Sequence, residues 1–288
     1  MKKHLLLSLM VFAVLSCKET KKEEKMVSAE ETGLEIKLYT FDGGTVMVNN
    51  LELFSQDTTY QGQTKEFADP FYVISHPNGN LMWDAGLPQQ LVGQPVYTDP
   101  SGAFTVSRKD SVVNQLKQIG MTLADIDYLA LSHTHFDHSG HANAMKEAIW
   151  LVQGSEYDFV TSEEVKNSGE GIYEAIQELK KIQKIKGDHD VFGDGTVIIK
   201  AMPGHTPGHQ VLFLDMPGNG PTLLTGDLYH LYENREYQRV PIFNDDVPQT
   251  LASMEAFEAF AKVKGAKVYV QHQKEDFNTM PKAPKFLN

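Results

Sequence analysis

Apolar positions alternate with polar ones over Leu34 to Phe41 and again over Thr45 to Leu53. That period of two predicts half-buried strands, and Asp42-Gly43-Gly44 between them predicts a hairpin turn. Further strands are expected at Phe71 to Ser75 and Leu81 to Trp83, around the turn residues His76-Pro77-Asn78-Gly79-Asn80. The spacing of Val112, Val113, Leu116 and Ile119 predicts an amphipathic helix over Lys109 to Gly120. Ile126 to Leu131 and Ala148 to Gln153 read as strands. Thr161 to Lys186 reads as mostly helical, broken or bent at Gly169 and Gly171, with Ile172, Ile176, Leu179 and Ile182 as a core stripe. Strands are expected again at Thr196 to Met202, Gln210 to Asp215, Thr222 to Thr225 and Lys267 to Gln271. A last amphipathic helix runs from about Pro248 to Val263, on Leu251, Met254, Phe257 and Ala261. The order suggests two β-then-α halves whose sheets pack together with helices outside, an α/β architecture.

One stretch carries the chemistry. The apolar run ending at Leu131 leads into Ser132-His133-Thr134-His135-Phe136-Asp137-His138-Ser139-Gly140. This reads as a buried strand, a turn crowded with ligand-type side chains, and a helix opening near Ser139. His133 and His135 project to the same side of an extended segment, while Asp137 and His138 sit on the turn and can point elsewhere. Desolvating these groups without a cation would leave several of them short of partners. The arrangement suits two adjacent metal ions, one for each pair.

The 288 residues leave room for one large domain or two small ones, with 41% hydrophobic and 22% charged residues. A formal net charge of −12 repels phosphate backbones, so nucleic acid is not an expected partner. The single cysteine, Cys17, excludes an intramolecular disulfide and a thiolate metal site. Met1-Lys2-Lys3, the apolar run Leu5 to Leu15, and Val14-Leu15-Ser16-Cys17 together resemble a bacterial lipoprotein signal. The expected organisation is a signal over 1–17 ending at Cys17, which is lipidated or, on the alternative reading, incidental to a plain cleaved signal, then a charged tether over 18–33 and a folded domain over 34–288. That implies an exported protein of the bacterial cell envelope, held to the membrane only through the lipid.

Three later places put a His or Asp where a strand meets a loop. They are Pro203-Gly204-His205-Thr206-Pro207-Gly208-His209, Leu223-Leu224-Thr225-Gly226-Asp227, and Val268-Tyr269-Val270-Gln271-His272. Asp84-Ala85-Gly86 ends an earlier strand, where the Asp either orients a metal ligand or merely caps a turn. Together with Ser132 to His138, these motifs resemble the metallo-β-lactamase superfamily and, within it, the N-acyl-homoserine lactonase branch. The likeness runs from about Leu34 to the C-terminus.

The resemblance implies an αββα sandwich, two mixed sheets face to face with helices outside, and a site for two Zn2+ per chain. His133, His135 and His205 would hold one ion, Asp137, His138 and His272 the other, and Asp227 would bridge them; imidazole and carboxylate suit zinc. His209 is expected to be structural. The implied reaction is attack of a metal-bridging hydroxide on a lactone carbonyl, with Asp137 as proton shuttle. The branch typically carries a Tyr three positions after the bridging Asp. Here that position is His230, preceded by Tyr229, and either could contact the substrate carbonyl. The branch also usually has Asp after the last His ligand, where this chain has Gln273. The loop Leu87 to Thr105 is expected to help build a groove for the acyl tail, with Phe104 as a contact. Sister activities on organophosphate triesters, other esters or lactones and β-lactams share the same metal chemistry; a non-catalytic metal-binding lipoprotein would be the outcome if turnover had been lost.

Overall fold

The computed structural model describes residues 35–288. The expected signal, Cys17 and the tether lie outside the described residues. The chain runs β1 (Lys37–Val48), β2 (Lys65–His76), β3 (Gly79–Trp83), β4 (Tyr97–Thr98), β5 (Phe104–Ser107), α1 (Val112–Leu116), β6 (Tyr128–Ala130), α2 (Phe136–Ser139), β7 (Ile149–Gln153), α3 (Gly154–Val160), α4 (Glu163–Asn167) and β8 (Ile182–Ile185). It continues through β9 (His189–Asp190), β10 (Val197–Ala201), β11 (Gln210–Met216), β12 (Gly220–Leu224), α5 (Tyr232–Tyr237), α6 (Val247–Lys264), β13 (Lys267–Tyr269) and α7 (Lys274–Thr279). One sheet has the order β4-β5-β1-β2-β3-β6-β7-β8 and the other β13-β12-β11-β10-β9. The first eight strands thus form one sheet and the last five the other, as the two-halves reading expects.

Three apolar layers hold the sandwich. Leu38, Ile74, Leu81 and Trp83 from the larger sheet meet Ile199, Leu212, Leu214 and Leu224 from the smaller, all fully buried. The outer face of the larger sheet is covered by Val112, Leu116, Met145 and Val160. The outer face of the smaller sheet is covered by Met254, Phe257 and Ala261 of α6. This α6 follows its sequence signals: Asp246 accepts the Gln249 N–H at 2.9 Å, Pro248 lies in the first turn, and Gly265 ends the helix at φ 60°. Its Leu251, expected inside, is 37% exposed and faces away from that layer.

Several elements differ from the sequence reading. Asp42-Gly43-Gly44 is not a hairpin; β1 runs straight through it, and its pairing with β2 shifts register between Asp42 and Thr45 as a bulge. The glycines serve close approach instead. A Cβ on Gly43 would stand 2.4 Å from the Asp69 carbonyl oxygen and 2.8 Å from the Gly86 Cα, and one on Gly44 2.4 Å from Leu87 Cδ1. The bulge therefore seats the turn after β3. The helix expected over Lys109 to Gly120 is only α1 and a 3-10 turn, Lys117–Ile119, and Val113 is 37% exposed. Thr161 to Lys186 is not a long helix: Gly169 and Gly171 both take φ 77°, which breaks the hydrogen-bond ladder after α4. Ile172, Ile176 and Leu179 are nonetheless buried, carried by turns. The helix after the His cluster opens at Phe136 rather than Ser139, so Asp137 and His138 lie in its first turn.

Strands β3, β6, β7 and β8 are parallel to one another, as are β12 and β13. Asp84, Ser132 and Asp227 all follow the C-terminal ends of such strands, the edge at which open α/β sheets generally bind ligands.

Candidate metal centre

The structure brings all seven expected ligand residues together. Ligand atoms of His133, His135, His205 and Asp227 lie within 4.8 Å of one another, as do those of Asp137, His138 and His272. His133 Nε2 is 2.8 Å from His135 Nδ1, and His205 Nε2 is 3.2 Å from the same Nδ1. Asp227 faces both groups. Its Oδ2 lies 3.6 Å from His133 Nε2 and 3.6 Å from His205 Nε2. Its Oδ1 lies 2.9 Å from His272 Nε2 and 3.2 Å from His138 Nε2. Asp137 stands 3.8 Å from each of those two imidazoles.

This geometry fits metal ions better than hydrogen bonds. Ligands about 2.0–2.1 Å from a tetrahedral ion stand roughly 3.3 Å apart, and the separations within the first group straddle that value. Asp227 Oδ1 and His138 Nε2 are buried and close, yet neither has a hydrogen-bond partner. Such orphaned atoms aimed at one point leave room for a cation. Burial holds the imidazoles of His133 and His205 well below their usual range and His135 down to about 4, keeping their lone pairs free. At the second group burial pushes the imidazoles down as well but is outweighed. The Asp227, Asp84 and Asp137 charges raise His138, and Asp227 raises His272 to about 9. The carboxylates there call for positive charge.

Three of the expected ligands, His138, His272 and Asp227, are held from behind. Asp84, fully buried at φ 59°, accepts the Ser132 N–H through Oδ1 at 2.6 Å, and its Oδ2 is 3.0 Å from His138 Nδ1. The two readings of Asp84 left open by the sequence resolve together: it caps the turn and orients a ligand. His272 Nδ1 donates to the Ala68 carbonyl at 2.9 Å. His209 donates from Nδ1 to the Met202 carbonyl and accepts the Asp227 N–H at Nε2, so its ring is spent on fixing Asp227. Gln273 accepts the Tyr232 N–H at 3.2 Å and its amide donates to Glu275.

His230 and Tyr229 part company. His230 is buried with Nε2 3.0 Å from Asp227 Oδ2, and it borders a cavity of about 430 Å³ that reaches the ligands. Tyr229 does not reach the site, contrary to one of the two sequence readings. Its ring packs on Phe257 of α6 and its hydroxyl donates to Glu258 at 3.0 Å; the backbone at Tyr229 is extended after the 3-10 turn Gly226–Leu228, so successive side chains there point to opposite sides.

The cavity is walled by Phe54, Phe67, Phe104, Phe136, Ile242 and Phe243. A second cavity, about 1140 Å³, shares Phe104, His135 and Phe136 with it and is otherwise bordered by the 88–100 loop, Val106, the 140–144 segment and the 170–175 turns. Phe104 thus lines both. Sequence reading missed Phe54 and Phe243, which lie far apart in the chain, and also two buried carboxylates. Asp69 is pushed up to about 8 by burial and the Asp137 charge, and Glu156 is only 2% exposed. Neither sits in a motif.

The model of the Metallo-beta-lactamase superfamily matches residues 69–272. The chain is similar to the N-acyl homoserine lactonase AttM of Rhizobium radiobacter, 30% identical over 268 residues that cover 88% of this chain and 98% of that protein. It is 27% identical to the N-acyl homoserine lactonase AiiA of Bacillus thuringiensis subsp. kurstaki, over 87% of this chain and 98% of that one. Among solved structures, an N-acyl homoserine lactone hydrolase with N-hexanoyl-L-homoserine bound at its catalytic metal centre superposes with a TM-score of 0.76 at 27% identity, covering 87% of this chain and 98% of that one.

Proposed function

Because the chain belongs to the metallo-beta-lactamase superfamily, we propose that it opens the ring of N-acyl-homoserine lactones by hydrolysis, quenching the signal they carry. The observation that carries the reading is a two-part ligand cluster sharing Asp227 beside an aromatic-walled cavity. His133, His135 and His205 would hold one Zn2+, and Asp137, His138 and His272 the other, with Asp227 between them. Bound there, two such ions would make a water nucleophilic near neutral pH and polarise the lactone carbonyl.

The residues have separable tasks. His230 donates a ring N–H to the carbonyl oxygen, whose negative charge grows as the carbon becomes tetrahedral. Asp137 takes the proton of the attacking water and returns it to the ring oxygen as the C–O bond breaks. The product is the open hydroxy acid, so lactone plus water balances with no further reactant. Phe54, Phe67, Phe104, Phe136 and Phe243 exclude water and receive the acyl tail, and the 87–105 loop extends that surface toward the larger cavity. Export and a lipid anchor at Cys17 would place the enzyme where diffusible lactones pass.

The test is acid release from short- and long-chain N-acyl-homoserine lactones by zinc-loaded and metal-stripped protein. Lactone opening that vanishes on stripping and returns with zinc is expected. Turnover of a phosphotriester, ester or β-lactam with no lactone opening would replace this reading with that sister activity. Zinc binding without any hydrolysis would replace it with a non-catalytic metal carrier.

A further inference from the structure

We infer that Glu156 is the positioning residue of the first metal position, acting through the backbones that carry all three of its histidines. This rests on the two-ion reading of the site. Glu156 follows β7 in the first turn of α3 and touches no ligand-donor atom. Its Oε1 accepts the Thr134 N–H at 2.9 Å and the Thr134 hydroxyl at 2.7 Å. Its Oε2 accepts the Thr206 hydroxyl at 2.7 Å and the Gly208 N–H at 3.0 Å. Thr134 stands between His133 and His135, and Thr206 follows His205. One buried carboxylate therefore ties two loops, 72 residues apart at Thr134 and Thr206, into one rigid set of three imidazoles.

The surroundings are shaped for this role. Gly208 is in place because a Cβ there would lie 2.5 Å from the Glu156 backbone nitrogen and 2.5 Å from its Cβ. Ser155 adds a hydrogen bond from its hydroxyl to the Pro207 carbonyl at 2.8 Å. Burial pushes the Glu156 carboxyl up, and its four donors pull it down. All four are strong contacts only while both oxygens accept. The second position has its own support in Asp84 and the Ala68 carbonyl, neither of which Glu156 hydrogen-bonds, while the Ser132 hydroxyl lies 3.1 Å from both His133 Nδ1 and His138 Nδ1. The two metal positions are thus braced by two separate buried carboxylates, and occupancy of one can fail without the other.

Glu156→Gln keeps the shape but turns one acceptor into a donor pair, facing either the Thr134 or the Gly208 N–H. The experiment counts ions by elemental analysis and measures their release by titrating the zinc-loaded full chain with a chromophoric chelator. The expected result is two ions in the parent, and in Glu156→Gln one ion held as in the parent and one weakened 10–100-fold, the usual effect of losing an outer partner of a metal ligand. Thr206→Val removes a single donor and is expected to weaken the same ion less, which keeps the test open if Glu156→Gln does not fold. Cobalt substitution assigns the ion, since the altered absorption band must belong to the three-histidine position. Both ions retained at parental affinity, or both weakened alike, overturns the role of Glu156. A parent that binds fewer than two ions instead overturns the two-ion premise, whatever the variant does.

Discussion

Asp84→Asn tests the geometry of the second metal position most directly. Asn tolerates the left-handed backbone that Asp84 adopts at φ 59°, so the exchange leaves the turn undisturbed. It leaves the volume unchanged as well. What changes is the pattern of donors. The carboxylate accepts the Ser132 N–H at 2.6 Å and faces His138 Nδ1 at 3.0 Å. That second contact keeps the His138 proton on Nδ1 and leaves Nε2 bare for a cation. An amide must place its NH2 toward one of the two. Facing Ser132, it sets donor against donor and loses a charge-assisted bond worth about 1.5–3 kcal/mol. Facing His138, it favours the tautomer protonated on Nε2, which has no lone pair to offer the ion. Either way the second ion should weaken 10–100-fold, or about 1.4–2.7 kcal/mol, while the ion held by His133, His135 and His205 keeps its affinity. Elemental analysis after graded chelation gives the stoichiometry, and lactone turnover should fall with occupancy of the weaker ion. Parental affinity for both ions in a folded Asp84→Asn protein would refute the reasoning. So would selective loss of the first ion.

Other consequences follow from the same geometry. His230→Ala should lower kcat/KM on a short-chain lactone by about 10²–10³, the usual loss on removing one donor to a developing oxyanion, whereas Tyr229→Phe, which alters only the contact to Glu258, should leave turnover near the parental value. Phe104→Ala should depress kcat/KM more for long than for short acyl chains, by up to roughly fourfold per methylene no longer buried; equal losses across chain lengths would remove Phe104 from the tail-binding surface. His141 is held at about 4 by burial and by the nearby Arg108 charge, against about 6.5 in an unfolded chain. Its contribution to stability is therefore complete above pH 6.5 and lost as pH falls toward 4, because the unfolded chain takes up the proton first. His141→Asn should flatten that part of the stability profile, measured by denaturant unfolding from pH 7.5 to 4.5. Finally, Cys17→Ser should move the protein from the membrane fraction to the soluble fraction of the expressing cell, and an unchanged membrane fraction would exclude the lipid anchor.

The chain's own order supplied a good deal. The alternation along β1, the apolar runs before Ser132 and Asp227, and the caps of α6 are local signals, and they placed the strand ends from which the ligands project. The two-residue step from His133 to His135 likewise set both rings on one side of their segment. Local patterns misled where a residue type has two uses. Glycine pairs mark turns and also close approaches, so Asp42-Gly43-Gly44 read as a hairpin although β1 continues through it to admit the turn after β3. The Ile172, Ile176, Leu179 stripe was core, as its spacing said, but positive φ at Gly169 and Gly171 denied it a helix.

What stood outside the reach of sequence was the choice of neighbours. Nothing beside Glu156 marks it as the brace of His133, His135 and His205, because its four donors come from segments distant in the chain. Phe54 and Phe243 stand face to edge at 5.4 Å across the cavity, although 189 positions separate them. Only folding decided that His230 turns inward while Tyr229 turns out. Periodicity, capping and ligand spacing are properties of a few consecutive residues, so the chain alone determines them. Which buried polar group finds which partner depends on how two sheets stack, and that is settled only when the whole core closes.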